Sequence, residues 1–361
     1  MKLSKLGWNK SFEKNFENLK GLKQGRVVKE SRRIYQVYCE DGLRQVEVSG
    51  RFHYTVTCKS DYPVVGDWVA LKMQDGRALI EEMLPRRTAF SRKVAGKGTE
   101  EQVVASNIDM LGIVCGLDGG RNFNLRGIER YLVMAREGGV QPIIVLNKVD
   151  LCTHPQAALH QTRSISGKIP VFLVSALQGD GIRNLAMSFA AGSTIAFVGP
   201  SGVGKSALLN ALLGKEAQIT GLQRETDLRG RHTTTHKELF FLEGGAMVID
   251  TPGMRELQPW GTKEGLAGIF GEIEEAEGNC RFRDCSHQGE PGCAVQQLLV
   301  DGALDFECYQ NYLDMRTELT CLESRLSEKG RLERKKKKKQ LSQKIKNVNN
   351  VRYREHSWRS S

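Results

Sequence analysis

Two short stretches hold the residues best suited to chemistry. GPSGVGKS, residues 199–206, has the form G-x-x-x-x-G-K-S. Gly199, Gly202 and Gly204 let the backbone curl until its N–H groups point inward at an anion. Pro200, Ser201 and Val203 fill the loop, and Ser206 and Ala207 open the run that follows. Such a loop cradles nucleotide phosphates. Lys205 then reaches the β- and γ-phosphates, and Ser206 ligates Mg²⁺. NKVD, residues 147–150, adds a base reader. The Asp150 carboxylate can accept from both N1–H and the exocyclic amine of guanine. Adenine offers no such donor pair, and the carboxylate left unpaired would cost roughly 1–3 kcal/mol. Asn147 braces either the phosphate loop or the base edge, the Lys148 stem lies along the ring, and Val149 completes the turn.

Three further segments fit the same chemistry. VSALQGDGI (174–182) places Ser175 and Ala176 in a turn whose backbone N–H groups can approach the guanine carbonyl. DTPG (250–253) offers Asp250 to Mg²⁺ through a water and the Gly253 N–H to the γ-phosphate. GRHTTT (230–235) offers a hydroxyl to complete the Mg²⁺ shell, with Thr234 the first choice and Thr233 the second, unless the run is loop filler. Hydrolysis also needs a group that orients water. Ras-like GTPases place a Gln after the switch glycine. Here that position is Met254, whose thioether is a weak acceptor. His232 is the best local substitute, being titratable near neutral pH; the alternative is an ordinary loop histidine.

These residues need strands to hold them. IDMLGIVCGL, PIIVLN, IPVFLVS, STIAFVG and AMVID are apolar runs typical of strands buried on both faces. LRGIERYLVMARE and SALLNALLG have helical spacing. The alternation predicts α/β units with a mostly parallel sheet, with NKVD and the phosphate loop at strand carboxyl ends. Upstream, GRVVKE, RRIYQVYC, LRQVEVS, DWVALKM and RALIEEM read as five short strands, which suits an OB-like β-barrel. Arg51, Phe52, His53 and Tyr54 fit either base stacking or a strand edge.

Cys280, Cys285, His287 and Cys293 have the spacing C-x4-C-x-H-x5-C. Four thiolate and imidazole ligands suit a tetrahedral Zn²⁺ with no open position, hence a structural ion. Nine cysteines in 361 residues are too few for a disulfide scaffold. The net charge of +11 is uneven. Residues 331–361 carry +10, residues 1–33 carry +7, and the body is acidic. Basic ends seek a polyanion, and RNA is the abundant one in the cytoplasm. No stretch approaches the roughly 18–20 apolar residues of a membrane span, and the start lacks the apolar run of a signal peptide. A cytoplasmic location without membrane contact is the expectation, and nothing demands more than a monomer.

The order NKVD, SA, GPSGVGKS, TT, DTPG is that of a rotated GTPase. Domain termini lie close together, so moving the chain break leaves a packed sheet intact. With PVVGDWV (63–69), GRHTTT and the Cys/His cluster, the chain resembles the circularly permuted GTPases, in particular the bacterial branch dependent on the small ribosomal subunit. The resemblance implies GTP with Mg²⁺, one structural Zn²⁺, and the small subunit and its rRNA as partners. It implies hydrolysis of GTP to GDP and phosphate in late subunit maturation. A rival is an RNA-binding assembly chaperone that uses bound nucleotide only structurally. The expected fold is a circularly permuted P-loop GTPase domain (105–258). A basic segment (1–23), an OB-fold barrel (24–90) and a linker (91–104) precede it. A helical zinc-binding domain (259–329) and a basic disordered tail (330–361) follow it. The reversal sends the chain from the DTPG switch straight into the helical domain, so switch ordering is expected to reach that domain directly.

Overall fold

The structure is a computed structural model, and it describes residues 2–31, 34–74, 76–93, 101–120, 122–214, 237–250 and 263–327. His232, Thr233, Thr234, Gly253, Met254 and the tail 330–361 lie outside the described residues.

The N-terminal segment, expected only as a basic arm, carries structure. A 3-10 turn spans Leu3–Leu6 and helix α1 spans Lys10–Phe16. Asn9 Oδ1 caps α1 by accepting from the Ser11 N–H at 3.0 Å. Trp8 and Phe12 pack on Trp68 with ring centroids 4.7 and 5.6 Å away, which ties the segment to the barrel.

Five strands follow: β1 (Lys23–Ser31), β2 (Ile34–Cys39), β3 (Gly42–Val48), β4 (Trp68–Gln74) and β5 (Arg77–Met83). They pair in the circle β1-β2-β3-β5-β4-β1, with β3 and β5 parallel and the rest antiparallel. Closure leaves no free edge. Val27, Tyr35, Val37, Val46, Val69 and Ile80 fill the interior. Helix α2 (Gly50–Thr55) lies between β3 and β4, so the strand-edge reading of Arg51–Tyr54 fails. Ser49 starts the helix by accepting from the Phe52 N–H at 3.1 Å. Phe52 enters the barrel core and Tyr54 stays 93% exposed.

The expected linker is largely strand where described. β6 (Ala89–Lys93) and β7 (Glu101–Ser106) form an antiparallel pair. The reason is burial: Val103, Val104 and Ala105 are all buried, and a buried backbone must pair its polar groups.

The α/β unit runs β8 (Met110–Gly116), α3 (Leu125–Glu137), β9 (Gln141–Asn147), α4 (Pro155–Ser166), β10 (Val171–Leu173), α5 (Ile182–Met187), β11 (Thr194–Val198), α6 (Lys205–Leu213), β12 (Glu238–Phe241) and β13 (Met247–Asp250). The strand order is β10-β9-β8-β11-β13-β12. The first five are parallel, and β12 is antiparallel to β13. β12 also meets β1 at Lys29–Glu238, which makes barrel and sheet one eleven-stranded array.

Helices α7 (Lys263–Ala267), α8 (Gly271–Gly278), α9 (Ala294–Val300) and α10 (306–327) form the last unit. Its core of Leu266, Phe270, Ile273, Val295 and Met315 includes Val133 of α3. Asn311 donates to Glu129 at 2.6 Å, and Arg130 pairs with Glu318 at 2.9 Å. Among the described residues this unit docks on α3. The connection 251–262, by which the switch was expected to act directly, lies outside them. No helix of the described residues is long and apolar enough to cross a membrane.

Candidate functional site

Five adjacent parallel strands end at one side of the sheet, and a sequence-read motif follows four of them. NKVD begins at the end of β9, Ser175 and Ala176 follow β10, the phosphate loop follows β11, and Asp250 closes β13. The central strand β8 ends in Gly116. The carboxyl edge of such a sheet, where the chain reverses direction across it, is the place for a ligand.

The phosphate loop has the conformation its glycines predict. Gly199, Gly202 and Gly204 have φ of +145°, +87° and +93°. A Cβ on Gly199 would lie 2.2 Å from the Val114 carbonyl oxygen, and one on Gly204 would lie 2.4 Å from Asn147 Nδ2. Lys205 and Ser206 open α6. The Lys205 ammonium donates to the Gly199 and Pro200 carbonyls at 2.8 and 2.6 Å. Burial lowers its pKa, while the nearby Asp250 charge opposes the shift. Lys205 and Asp250 therefore share one electrostatic neighbourhood at the phosphate end.

At the other end Asn147 is the brace. It is buried, donates to the Val203 carbonyl at 2.9 Å and accepts from the Ala176 N–H at 3.0 Å. One amide thus joins three motifs, which favours the brace over the base-edge alternative. The Ala176 N–H, expected to approach the guanine carbonyl, donates here to Asn147 Oδ1. Ser175 is buried and shapes the turn, its Oγ accepting from the Gln178 N–H at 3.2 Å. Lys148 takes a left-handed φ of +65°. The Val149 N–H reaches the Val174 carbonyl at 3.2 Å, and Asp150 is half-buried at the rim.

Sequence reasoning missed Asp118. Its carboxylate accepts from Lys148 Nζ at 2.6 Å and from Asn122 Nδ2 at 2.8 Å. The Lys148 hydrogen bond, helped by Asn122, holds the carboxyl below its ordinary range. Gly116 lets Asn122 approach closely, since a Cβ there would sit 3.2 Å from Asn122 Cβ. The available signal was position: an acid two residues beyond the central strand.

In the helical unit Cys280, Cys285, His287 and Cys293 bring four ligand atoms within 4.8 Å of one another. Cys280 Sγ lies 3.5 Å from His287 Nδ1 and 3.9 Å from Cys293 Sγ. His287 Nδ1 lies 3.4 Å from Cys293 Sγ. Around tetrahedral zinc, bonds of about 2.3 Å to sulfur and 2.0–2.1 Å to nitrogen give edges of roughly 3.5–3.8 Å. The set fits that ion. His287 turns Nε2 toward Glu277, 3.5 Å away, as metal-bound imidazoles turn to a carboxylate.

A parallel sheet with the phosphate loop after β11 and NKVD after the earlier β9 defines a circularly permuted P-loop GTPase. A model of the RsgA GTPase family matches residues 83–260. The small ribosomal subunit biogenesis GTPase RsgA of Syntrophotalea carbinolica is 43% identical over 93% of this chain and 95% of its own length. The protein of the same description from Opitutus terrae is 43% identical over 88% of this chain and 90% of its own. The crystal structure of YjeQ from Thermotoga maritima superposes with a TM-score of 0.61 at 26% identity, covering 83% of this chain and 99% of that one. YloQ, described as a circularly permuted GTPase, gives 0.59 at 25% identity, covering 84% and 97%. The chain belongs to the RsgA GTPase family.

Proposed function

We propose that the protein is a cytoplasmic, monomeric GTPase that hydrolyses GTP to GDP and phosphate on the small ribosomal subunit and times a late step of its maturation. The observation that carries the reading is Asn147, which ties NKVD, the Ser175–Ala176 turn and the phosphate loop into one guanine-nucleotide site. In it Asp150 reads the base, with Lys148 and Val149 beside it. The loop 199–206 and Ala207 hold the phosphates, and Ser206, Thr234 and Asp250 surround Mg²⁺. Gly253 and Lys205 meet the γ-phosphate, and His232 orients water. Cys280, Cys285, His287 and Cys293 hold one structural Zn²⁺. The basic ends and the barrel meet rRNA, consistent with the charge of the ends and with the names the relatives carry.

Phosphate release, measured with and without small subunits, tests the reading. Slow turnover alone and a large rise with subunits are expected. His232→Ala should lose most of the rise while keeping GTP affinity. Negligible turnover under both conditions would favour the assembly chaperone that uses nucleotide structurally.

A further inference from the structure

Strand β1 serves two cores. Val27 faces the barrel interior. The register of β1 against β2 then slips between Val27 and Lys29, a bulge of one residue. Val28 points to the opposite face, into the core shared with the GTPase sheet. Lys29 comes opposite Glu238 of β12, with its ammonium 3.1 Å from that carboxylate and both residues half-buried.

The neighbouring residues repeat the link with charges crossed. Glu30 of β1 and Lys237 lie close enough for each to act on the other's ionisation. Lys237 also donates to the Val103 carbonyl of β7 at 3.2 Å. Arg26, on the same strand, is fully buried. It donates to the carbonyls of Leu6, Gly66 and Asn107 and lies 3.6 Å from Met247 Sδ of β13. The barrel thus grips both β12 and β13.

Those two strands lead to the phosphate end. Glu238 is the register partner of Asp250 across the β12–β13 pair. Asp250 is the acid whose charge acts on Lys205. β12 is only four residues long, and its partners among the described residues are β13 and β1. A strand so short has little hold on its own position.

We propose that Lys29 and Glu238 are positioning residues for Asp250, so that the barrel and the Mg²⁺–phosphate end of the nucleotide site form one coupled unit. The proposal rests on the GTP reading of that site. A partner that shifts the barrel then shifts Asp250, and by linkage nucleotide binding is felt in β1.

Amide hydrogen exchange, read with and without a non-hydrolysable GTP analogue and Mg²⁺, tests this. Exchange in 199–206 should slow, and exchange in 26–30 and 238–241 should slow with it by severalfold. Lys29→Met and Glu238→Gln should each abolish the effect in 26–30 and raise the Mg²⁺ concentration for half-maximal nucleotide binding severalfold. The charge swap Lys29→Glu with Glu238→Lys should restore both, which repair of general packing would not do. Slowing in 199–206 without slowing in 26–30, or a swap that restores nothing, overturns the proposal and leaves the site reading standing. No slowing in 199–206 at all sinks the site reading, and the proposal with it. The unsubstituted protein alone delivers the decisive comparison, so a variant that folds poorly does not block it.

Discussion

The nucleotide site draws its described residues from Gly116 to Asp250, while the Cys/His cluster takes four ligands from a span of fourteen. The first is assembled by the sheet. Each motif sits on a strand end whose neighbours are paired along their length, and Asn147 locks three of them together. The second has little secondary structure of its own between α8 and α9. Cys280 follows α8 and Cys293 caps α9, so the four side chains come from one short segment between two helices and pack at the edge of the helical core. A site built by tertiary packing keeps its fold when one side chain is lost. A local site whose ligands repel one another when ionised does not.

The largest effect that separates them is metal removal. Structural zinc contributes roughly 10 kcal/mol or more of folding free energy in small domains. Chelation, or Cys285→Ala, should release near-stoichiometric zinc and open residues 279–293 to protease. Nucleotide affinity should stay within about twofold, because none of the four cluster ligands belongs to the nucleotide site. A cluster that holds no zinc, or a chelated protein with unchanged proteolysis, would erase the contrast.

Next in size is Asp150→Asn. Losing the donor pair on guanine should cost about 3 kcal/mol, or about 100-fold in GTP affinity, and favour xanthine nucleotides. Melting temperature should barely move, since no hydrogen bond from the described residues ends on that carboxylate. Equal affinity for GTP would remove Asp150 from base reading.

The smallest effect is Asp118→Asn, which weakens the hold on Lys148. GTP affinity should drop about fivefold to tenfold, about 1 kcal/mol. The pH dependence has a definite sign. The Lys148 hydrogen bond lowers the folded pKa of Asp118. Its contribution is therefore complete above the ordinary carboxylate value near 4 and fades as pH falls through the lower folded value. The gap between parent and variant should be constant from about pH 8 to 5 and close only in stronger acid. A gap that closes near pH 6 would point to a different group.

Elements with a strong local period were legible. The apolar spacing of LRGIERYLVMARE predicts a helix over 125–137, and α3 is Leu125–Glu137. The five barrel strands fall within two residues of their expected limits. What escaped were features defined by a partner. ELFF is too short to announce β12 without β13 beside it. The ends of 91–104 read as polar linker because the polar Lys93, Glu101 and Gln102 hide the buried Val103–Ala105. RFHY alternates like a strand, yet Ser49 caps it into a helix.

The sequence by itself determined the chemistry: a loop whose glycines can curl round phosphates, an acid that suits guanine, and four ligands that suit zinc. Each depends on residue type and short spacing, which the chain carries without folding. Only the tertiary structure decided which groups serve one another. Asp118 and Lys148 are 30 positions apart, Asn147 and Val203 are 56 apart, and Lys29 meets Glu238 where the barrel joins the α/β unit. Pairings at that separation follow from strand order, register and a single bulge. Those are set by how whole elements bury their apolar faces, and no local window of residues contains them.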